Sequence, residues 1–189
     1  MTKAELRIIY RGKRNQLSFQ EFEKLNDQIL INFQQMPLPF FNCIHTFISS
    51  EKLREADTSK LIRYLQFKNP GLKILVPKID ITSGNMQHLH YCDEVKWANN
   101  KFGIAEPLHG ELIEPGEIEL VLVPLLAFDR KGFRVGFGKG YYDRFLSECR
   151  KEVLKIGLSF FEPVDRIDNI NQFDIPLNYC VTPQQVFEF

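Results

Sequence analysis

The stretch "GFRVGFGKGYYDRFL", Gly132 to Leu146, sets four glycines, two arginines and one lysine around two tyrosines and an aspartate. Gly136, Gly138 and Gly140 let a backbone come close to oxygen atoms and take φ values closed to other residues, while Arg134 and Lys139 add full positive charges. With a strand before it and a helix after it, this loop offers an anion the free N–H groups and partial positive charge of a helix N-terminus, and phosphate is the natural guest. The spacing is G-x-G-x-G. It is neither the Walker sequence, which continues Gly-Lys into Ser or Thr, nor the G-x-G-x-x-G of dinucleotide folds. A glycine-rich turn alone is more often a tight connection, and it is the two cations and the flanking elements that favour anion binding.

A second basic group lies at the start of the chain. At 100° per residue, Lys3, Arg7 and Arg14 fall within about 40° of one another on a helix, with Arg11 close by. Like charges at this spacing repel, so the stripe is best tolerated opposite an anion; the plain alternative is a solvated face. Asp143, three residues past the glycines, serves equally as a magnesium ligand or as an ordinary first-turn acid of a helix. Glu55 in "READT" follows the first strand, which places it at the same edge of a sheet as the loop or leaves it an exposed loop carboxylate. His88 and His90 share one side of a strand but lack a third ligand, and no Ser-His-Asp or Cys-His set assembles from local motifs.

These residues need a scaffold, and the pattern supplies an α/β one. The 189 residues, 44% hydrophobic, suit a single domain over residues 1–189. Twenty-four basic residues balance twenty-four acidic ones, so no net field draws the chain to nucleic acid or an anionic membrane. Four separated cysteines with no CxxC pair read as reduced thiols, and no apolar run is long enough to span a membrane, so the expectation is a cytoplasmic protein. Two helices open the chain, the second capped by Ser18 with Glu21 three residues on. "CIHTFIS", Cys43 to Ser49, reads as a strand, the stretch from Thr58 as a helix with Leu61, Ile62 and Leu65 inward, and Leu72 to Pro77 as the next strand, together a parallel βαβ unit. From Lys78 to Gly116 the signal weakens to an excursion over one end of the sheet, with "MQHLHY" alternating like a strand. Ile118 to Phe128 is apolar enough for the central strand, "YYDRFLSECRKE" is a helix, and "LKIGLSF" and "NYCVTP" are two late strands.

In order and spacing, "KAELR" near the N-terminus, "EADT", "VPLLAFDRKGFRVGFGKGYYDRFL" and "FDIPLNYCVTP" resemble the 5-formyltetrahydrofolate cyclo-ligase (5,10-methenyltetrahydrofolate synthetase) family nearly end to end. The resemblance implies a three-layer α/β/α sandwich with a mostly parallel central sheet, NagB/RpiA/CoA transferase-like, that takes ATP, Mg2+ and 5-formyltetrahydrofolate, free or polyglutamylated; the expectation is a monomer with neither nucleic acid nor membrane as a partner. It implies ATP contacts from Lys3, Arg7, Arg134, Gly136, Phe137, Gly138, Lys139, Gly140, Tyr141 and Tyr142, to which the basic stripe adds Arg14. Ile48, Glu55, Phe102, Gly138, Lys139, Gly140 and Tyr142 would meet the folate, Asp143 and Asp174 the magnesium, and Lys139 with Arg134 would be catalytic. Two positions depart from the family pattern: Phe102 stands where tryptophan is common, and Asn178 where aspartate is usual. The implied chemistry moves the γ-phosphoryl of ATP onto the formyl oxygen, after which N10 of the folate closes the ring and phosphate leaves. That is mostly positioning and charge stabilisation, work a glycine loop with cations can do. A sugar-phosphate isomerase-like enzyme and a non-catalytic nucleotide-binding module on the same scaffold are the alternatives, and neither needs ATP turnover.

Overall fold

The structure, a computed structural model, describes residues 1–80, 82, 84–92, 96–99 and 105–189. Helices α1 (Lys3–Gln16) and α2 (Phe19–Gln34) are separated by only Leu17 and Ser18, and each opens on a capping box. Ser18 N–H donates to Glu21 Oε2 at 2.8 Å and Glu21 N–H to Ser18 Oγ at 3.2 Å, so two of the helix's orphan donors are satisfied reciprocally. Thr2 and Glu5 do the same for α1.

The seven-stranded sheet has the order β11-β10-β9-β6-β1-β2-β3. Its strands are β1 (Cys43–His45), β2 (Lys73–Ile79), β3 (Met86–His90), β6 (Leu120–Pro124), β9 (Leu154–Leu158), β10 (Tyr179–Val181) and β11 (Val186–Glu188). From β10 across to β2 all neighbours run parallel, while β3 and β11 close the two edges antiparallel. Helix α3 (Thr58–Lys68) makes the β1-to-β2 crossover, with Leu61, Ile62 and Leu65 buried as their spacing predicts. Residues alternate between faces: Ile44, Leu120, Leu122, Ile156 and Val181 pack on Ile29, Phe33, Leu61 and Leu65 of α2 and α3. Val121, Val123, Leu75 and Cys180 pack on Phe145 and Leu146 of α4 (Tyr141–Glu148). This is the expected α/β/α layering with a mostly parallel sheet. A third cluster of Leu6, Tyr10, Leu126, Ala127, Val135 and Ile167 seats α1 at the carboxyl edge.

The apolar run Ile118 to Phe128 is one strand in the pattern but two in space. β6 is indeed central, yet it ends at Pro124; Ala127–Phe128 is β7, paired antiparallel with β8 (Arg134–Val135). Leu126 and Ala127 leave the sheet to fill the cluster under α1, and apolarity does not tell one buried destination from another. β1 stops at His45 rather than Ser49 because the chain must leave the sheet to deliver the segment carrying Glu55. The excursion holds β3 and a two-stranded ribbon, β4 (Trp97–Asn99) and β5 (Ala105–Pro107). α4 ends at Glu148, four residues short of the pattern, where Cys149 turns extended. The edge strand β11 carried no signal strong enough to name. Among the described residues no helix is long and apolar enough to cross a membrane.

Gly157 in β9 is held small by its neighbours: a Cβ there would lie 2.5 Å from Leu125 Cδ2 and 2.6 Å from Leu177 Cδ1. Both leucines belong to a packed core, so Gly157→Ala is expected to cost about 1–3 kcal/mol of stability through overpacking. Urea denaturation should show a lower midpoint at unchanged slope.

Candidate active site

The glycine loop leaves β8 and enters α4. Gly138 and Gly140 sit at φ 93° and 69°, the left-handed region that excludes most side chains. Gly140 is the N-cap of α4 and brings no capping side chain, so the first-turn N–H groups keep their capacity to bind an anion. Lys139 stands exposed between them, and no hydrogen bond or ion pair holds its ammonium among the described residues. The loop predicted from its glycines is therefore exposed at Gly138 and Lys139 and carries an unpaired positive charge.

The basic stripe of α1 is engaged by the rest of the chain, Arg7 and Arg11 at this loop and Lys3 and Arg14 beside it. Arg7 Nε donates to Gly136 O at 2.8 Å, and its guanidinium lies so close to Gly138 that a Cβ there would be 3.1 Å from Arg7 Cζ. Arg11 lies over the Phe137 ring at 5.6 Å. Lys3 Nζ pairs with Asp174 Oδ2 at 2.5 Å. Arg14, only 3% exposed, donates Nη2 to Leu125 O, and its Nε and Nη1 have no partner. Burial pulls that guanidinium down to about 10, with Glu55 pulling the other way.

Ile175, the residue after Asp174, donates its N–H to Asp143 Oδ1 at 3.2 Å, joining the segments that carry the two aspartates. Asp143 Oδ1 also accepts from Arg134 Nη2 at 2.8 Å, and Asp174 Oδ2 accepts from Lys3 and, at 2.7 Å, from Asn171 N–H. In both carboxylates the bonds converge on one oxygen. Arg134, expected at the reacting group, is buried and bonds to Asp143 in the first turn of α4 and to Ile175 O. Burial lowers its pKa while Asp143 and Asp174 counter the shift.

Glu55 is 7% exposed, which removes the reading of it as a loop carboxylate in solvent. Its Oε2 accepts Ser50 N–H at 2.9 Å, and burial raises its pKa against the pull of Arg14. The Tyr142 hydroxyl is enclosed without a partner, its pKa raised by burial and by Glu55. Orphaned atoms on Arg14 and Tyr142 thus share one interior with a buried carboxylate, an arrangement that calls for a polar guest. Ile48 lies half-buried on the segment between β1 and Glu55, and Tyr141 half-buried beside Arg144. Phe102 lies outside the described residues. Among the described residues no three His, Cys, Asp or Glu side chains are grouped as a metal cage.

Asp129 was missed in the sequence. It is buried, and its two oxygens accept N–H groups of Lys131, Phe133 and Ile167 at 2.9, 3.1 and 3.2 Å, shaping the turn between β7 and β8. The signal was available, since Asp three residues before Gly is ordinary turn chemistry. At Asn178 the side-chain oxygen accepts Lys155 N–H at 2.9 Å, registering β9 against β10; this contact needs an acceptor, not a charge.

With that geometry established, the chain can be compared with known proteins. Residues 5–183 match the 5-formyltetrahydrofolate cyclo-ligase family. A 5-formyltetrahydrofolate cyclo-ligase of Haemophilus influenzae is 34% identical over 130 residues, covering 65% of this chain and 67% of that protein. That of Escherichia coli K12 is 26% identical over 185 residues, covering 95% and 99%. The NMR structure of Aquifex aeolicus 5,10-methenyltetrahydrofolate synthetase superposes with a TM-score of 0.81 at 28% identity, covering all of this chain and 93% of the other.

Two histidines complete the interior. His45, fully buried at the end of β1 with neither nitrogen partnered, lies 5.1 Å ring to ring from His88, which stacks on Phe145 at 4.1 Å. His45 carried no signal beyond its place at a strand end, and His90 pairs outward with Glu111 at 3.8 Å. Burial holds both inner imidazoles below the usual value of about 6.5, His88 down to about 4. Between those values the unfolded chain binds protons that the native state refuses, so this stability is complete above about pH 6.5 and is lost as pH falls toward 4. Glu55, raised by burial, acts with the opposite sign and softens the slope. The denaturation midpoint should fall on acidification, and should fall less in His88→Phe, whose ring keeps the stack on Phe145.

Proposed function

The chain belongs to the 5-formyltetrahydrofolate cyclo-ligase family, and from that premise we propose that it converts 5-formyltetrahydrofolate to 5,10-methenyltetrahydrofolate at the expense of ATP, with Mg2+. The observation that carries the reading is the junction at Tyr142. Its backbone lies in the first turn of α4 beside the left-handed glycines and Lys139, and its hydroxyl is buried without a partner within the electrostatic reach of Glu55. An open cationic loop suited to a triphosphate therefore adjoins buried polar groups suited to hydrogen-bonding a pterin.

A formamide carbonyl is a poor electrophile and its oxygen a poor leaving group. Transfer of the γ-phosphoryl to that oxygen turns it into phosphate, a good one; N10 then attacks the carbon, loses its proton, and phosphate departs with the original formyl oxygen. The protein's part is placement and charge. The uncapped N–H groups of α4 and the Lys139 ammonium face the phosphoryl oxygens where negative charge is in transit. Arg7 holds the loop at Gly136 in the shape that permits this. Glu55, unlike a loop carboxylate in water, offers the pterin's N–H donors an acceptor in a low-dielectric space where each hydrogen bond counts for more. Asp143 and Asp174 fit the magnesium: such an ion takes one or two carboxylates with phosphates and water, and each aspartate has an oxygen free of the bonds described above. When bound, the ion neutralises charge on the polyphosphate.

Purified protein given 5-formyltetrahydrofolate, Mg2+ and ATP should yield methenyl product with one ADP for each, and 18O placed in the formyl group should appear in inorganic phosphate. Product without ADP, or label released as water, overturns the phosphoryl route; absence of methenyl product overturns the activity. Lys139→Ala should fold normally and lose roughly 10²–10³-fold in kcat, the usual cost of removing one donor aimed at a developing oxyanion. Near-normal turnover would return Lys139 to the surface.

A further inference from the structure

Among the described residues Arg54 is the one non-glycine residue with a positive φ, at φ 45° and ψ 52°. A left-handed backbone is unfavourable for an L-residue, and arginine lacks the short polar side chain that lets Asn or Asp take it with local support. It persists only where the surroundings over-determine it, and here they do. Arg54 ends a 3₁₀ turn (Glu51–Leu53) with its N–H on Glu51 O at 3.0 Å, and its guanidinium donates to Leu17 O at the junction of α1 and α2.

We propose that Arg54 is a positioning residue for Glu55, its left-handed backbone turning the next carboxylate out of solvent and into the protein interior. This inference rests on the reading of Glu55 as a folate contact. Glu51 and Lys52, just before the reversal, are exposed, whereas Glu55 and Ala56, just after it, are buried. Ser50 closes the loop from the other side: its carbonyl accepts Glu55 N–H at 3.2 Å and its N–H donates to Glu55 Oε2 at 2.9 Å. Beyond Glu55 the chain is pinned again where Asn26 Oδ1 of α2 accepts Asp57 N–H at 2.8 Å. With both flanks anchored, the peptide reversal at Arg54 decides where the carboxylate points. The charge that bears on Glu55 is that of Arg14, so the part played by Arg54 is conformational.

The test uses three variants that differ in backbone freedom. Arg54→Ala disfavours the left-handed turn and removes the tether; it should raise KM for 5-formyltetrahydrofolate by about tenfold, the scale of a displaced binding group, with KM for ATP unchanged. Arg54→Gly and Arg54→Asn also lack the tether but accept the left-handed backbone, and should recover most of the folate KM. In a Glu55→Gln background, Arg54→Ala should have little further effect, since its action runs through that carboxylate. Unchanged folate KM in Arg54→Ala, an equal rise in ATP KM, no recovery by Gly or Asn, or additivity with Glu55→Gln would each overturn the assignment. If Glu55→Gln alone leaves the folate KM unchanged, the site reading itself fails, and this inference with it.

Discussion

Two guanidinium–carbonyl contacts hold α1 across the carboxyl edge of the sheet, Arg7 on Gly136 O and Arg14 on Leu125 O. The site depends on this placement. Without α1 the glycine loop would be a tight turn at a sheet edge, and Leu126, Ala127 and Val135 would face water. With it, the loop has a cationic wall, and its left-handed Gly138 has a guanidinium packed where a side chain would otherwise stand. The apolar contacts of Leu6 and Tyr10 supply the driving force for docking; the arginines, bonding only to carbonyls, set the register without neutralising their charge.

Charge is distributed to match. Toward the loop, two carboxylates are paired with cations of the protein, Asp143 with Arg134 and Asp174 with Lys3, which keeps the pair from repelling each other before any ion or phosphate arrives. Toward the interior, Glu55, Tyr142, His45 and His88 are all shifted toward their neutral forms by burial. Water is largely excluded there, so groups left without partners are costly.

Local chemistry was legible wherever it was local. The capping box at Ser18, the α3 stripe of Leu61, Ile62 and Leu65, and the helix that opens after the glycines each depend on residues within a turn or two, and each took the expected form. The α1 stripe was visible as a stripe, but its partner lies more than a hundred residues away, so periodicity alone left it free to be a solvated face. Arg134 shows the same limit from the other side. Its position in the motif suggested a phosphate contact, whereas the fold buries it against Asp143 and Ile175.

By itself the sequence determined the alternation of strands and helices, the parallel sheet that follows from it, and a glycine-rich, cationic loop at a helix N-terminus. These follow from propensity, capping and hydrophobic period, all of which act between near neighbours. Tertiary structure alone decided that the apolar run after Ile118 breaks at Pro124, that Glu55 is enclosed rather than solvated, that His45 meets His88, and that Arg54 takes a left-handed turn. Each of these is settled by what packs against the residue from distant parts of the chain, because burial, desolvation and strain are properties of a filled volume and have no counterpart in a linear pattern.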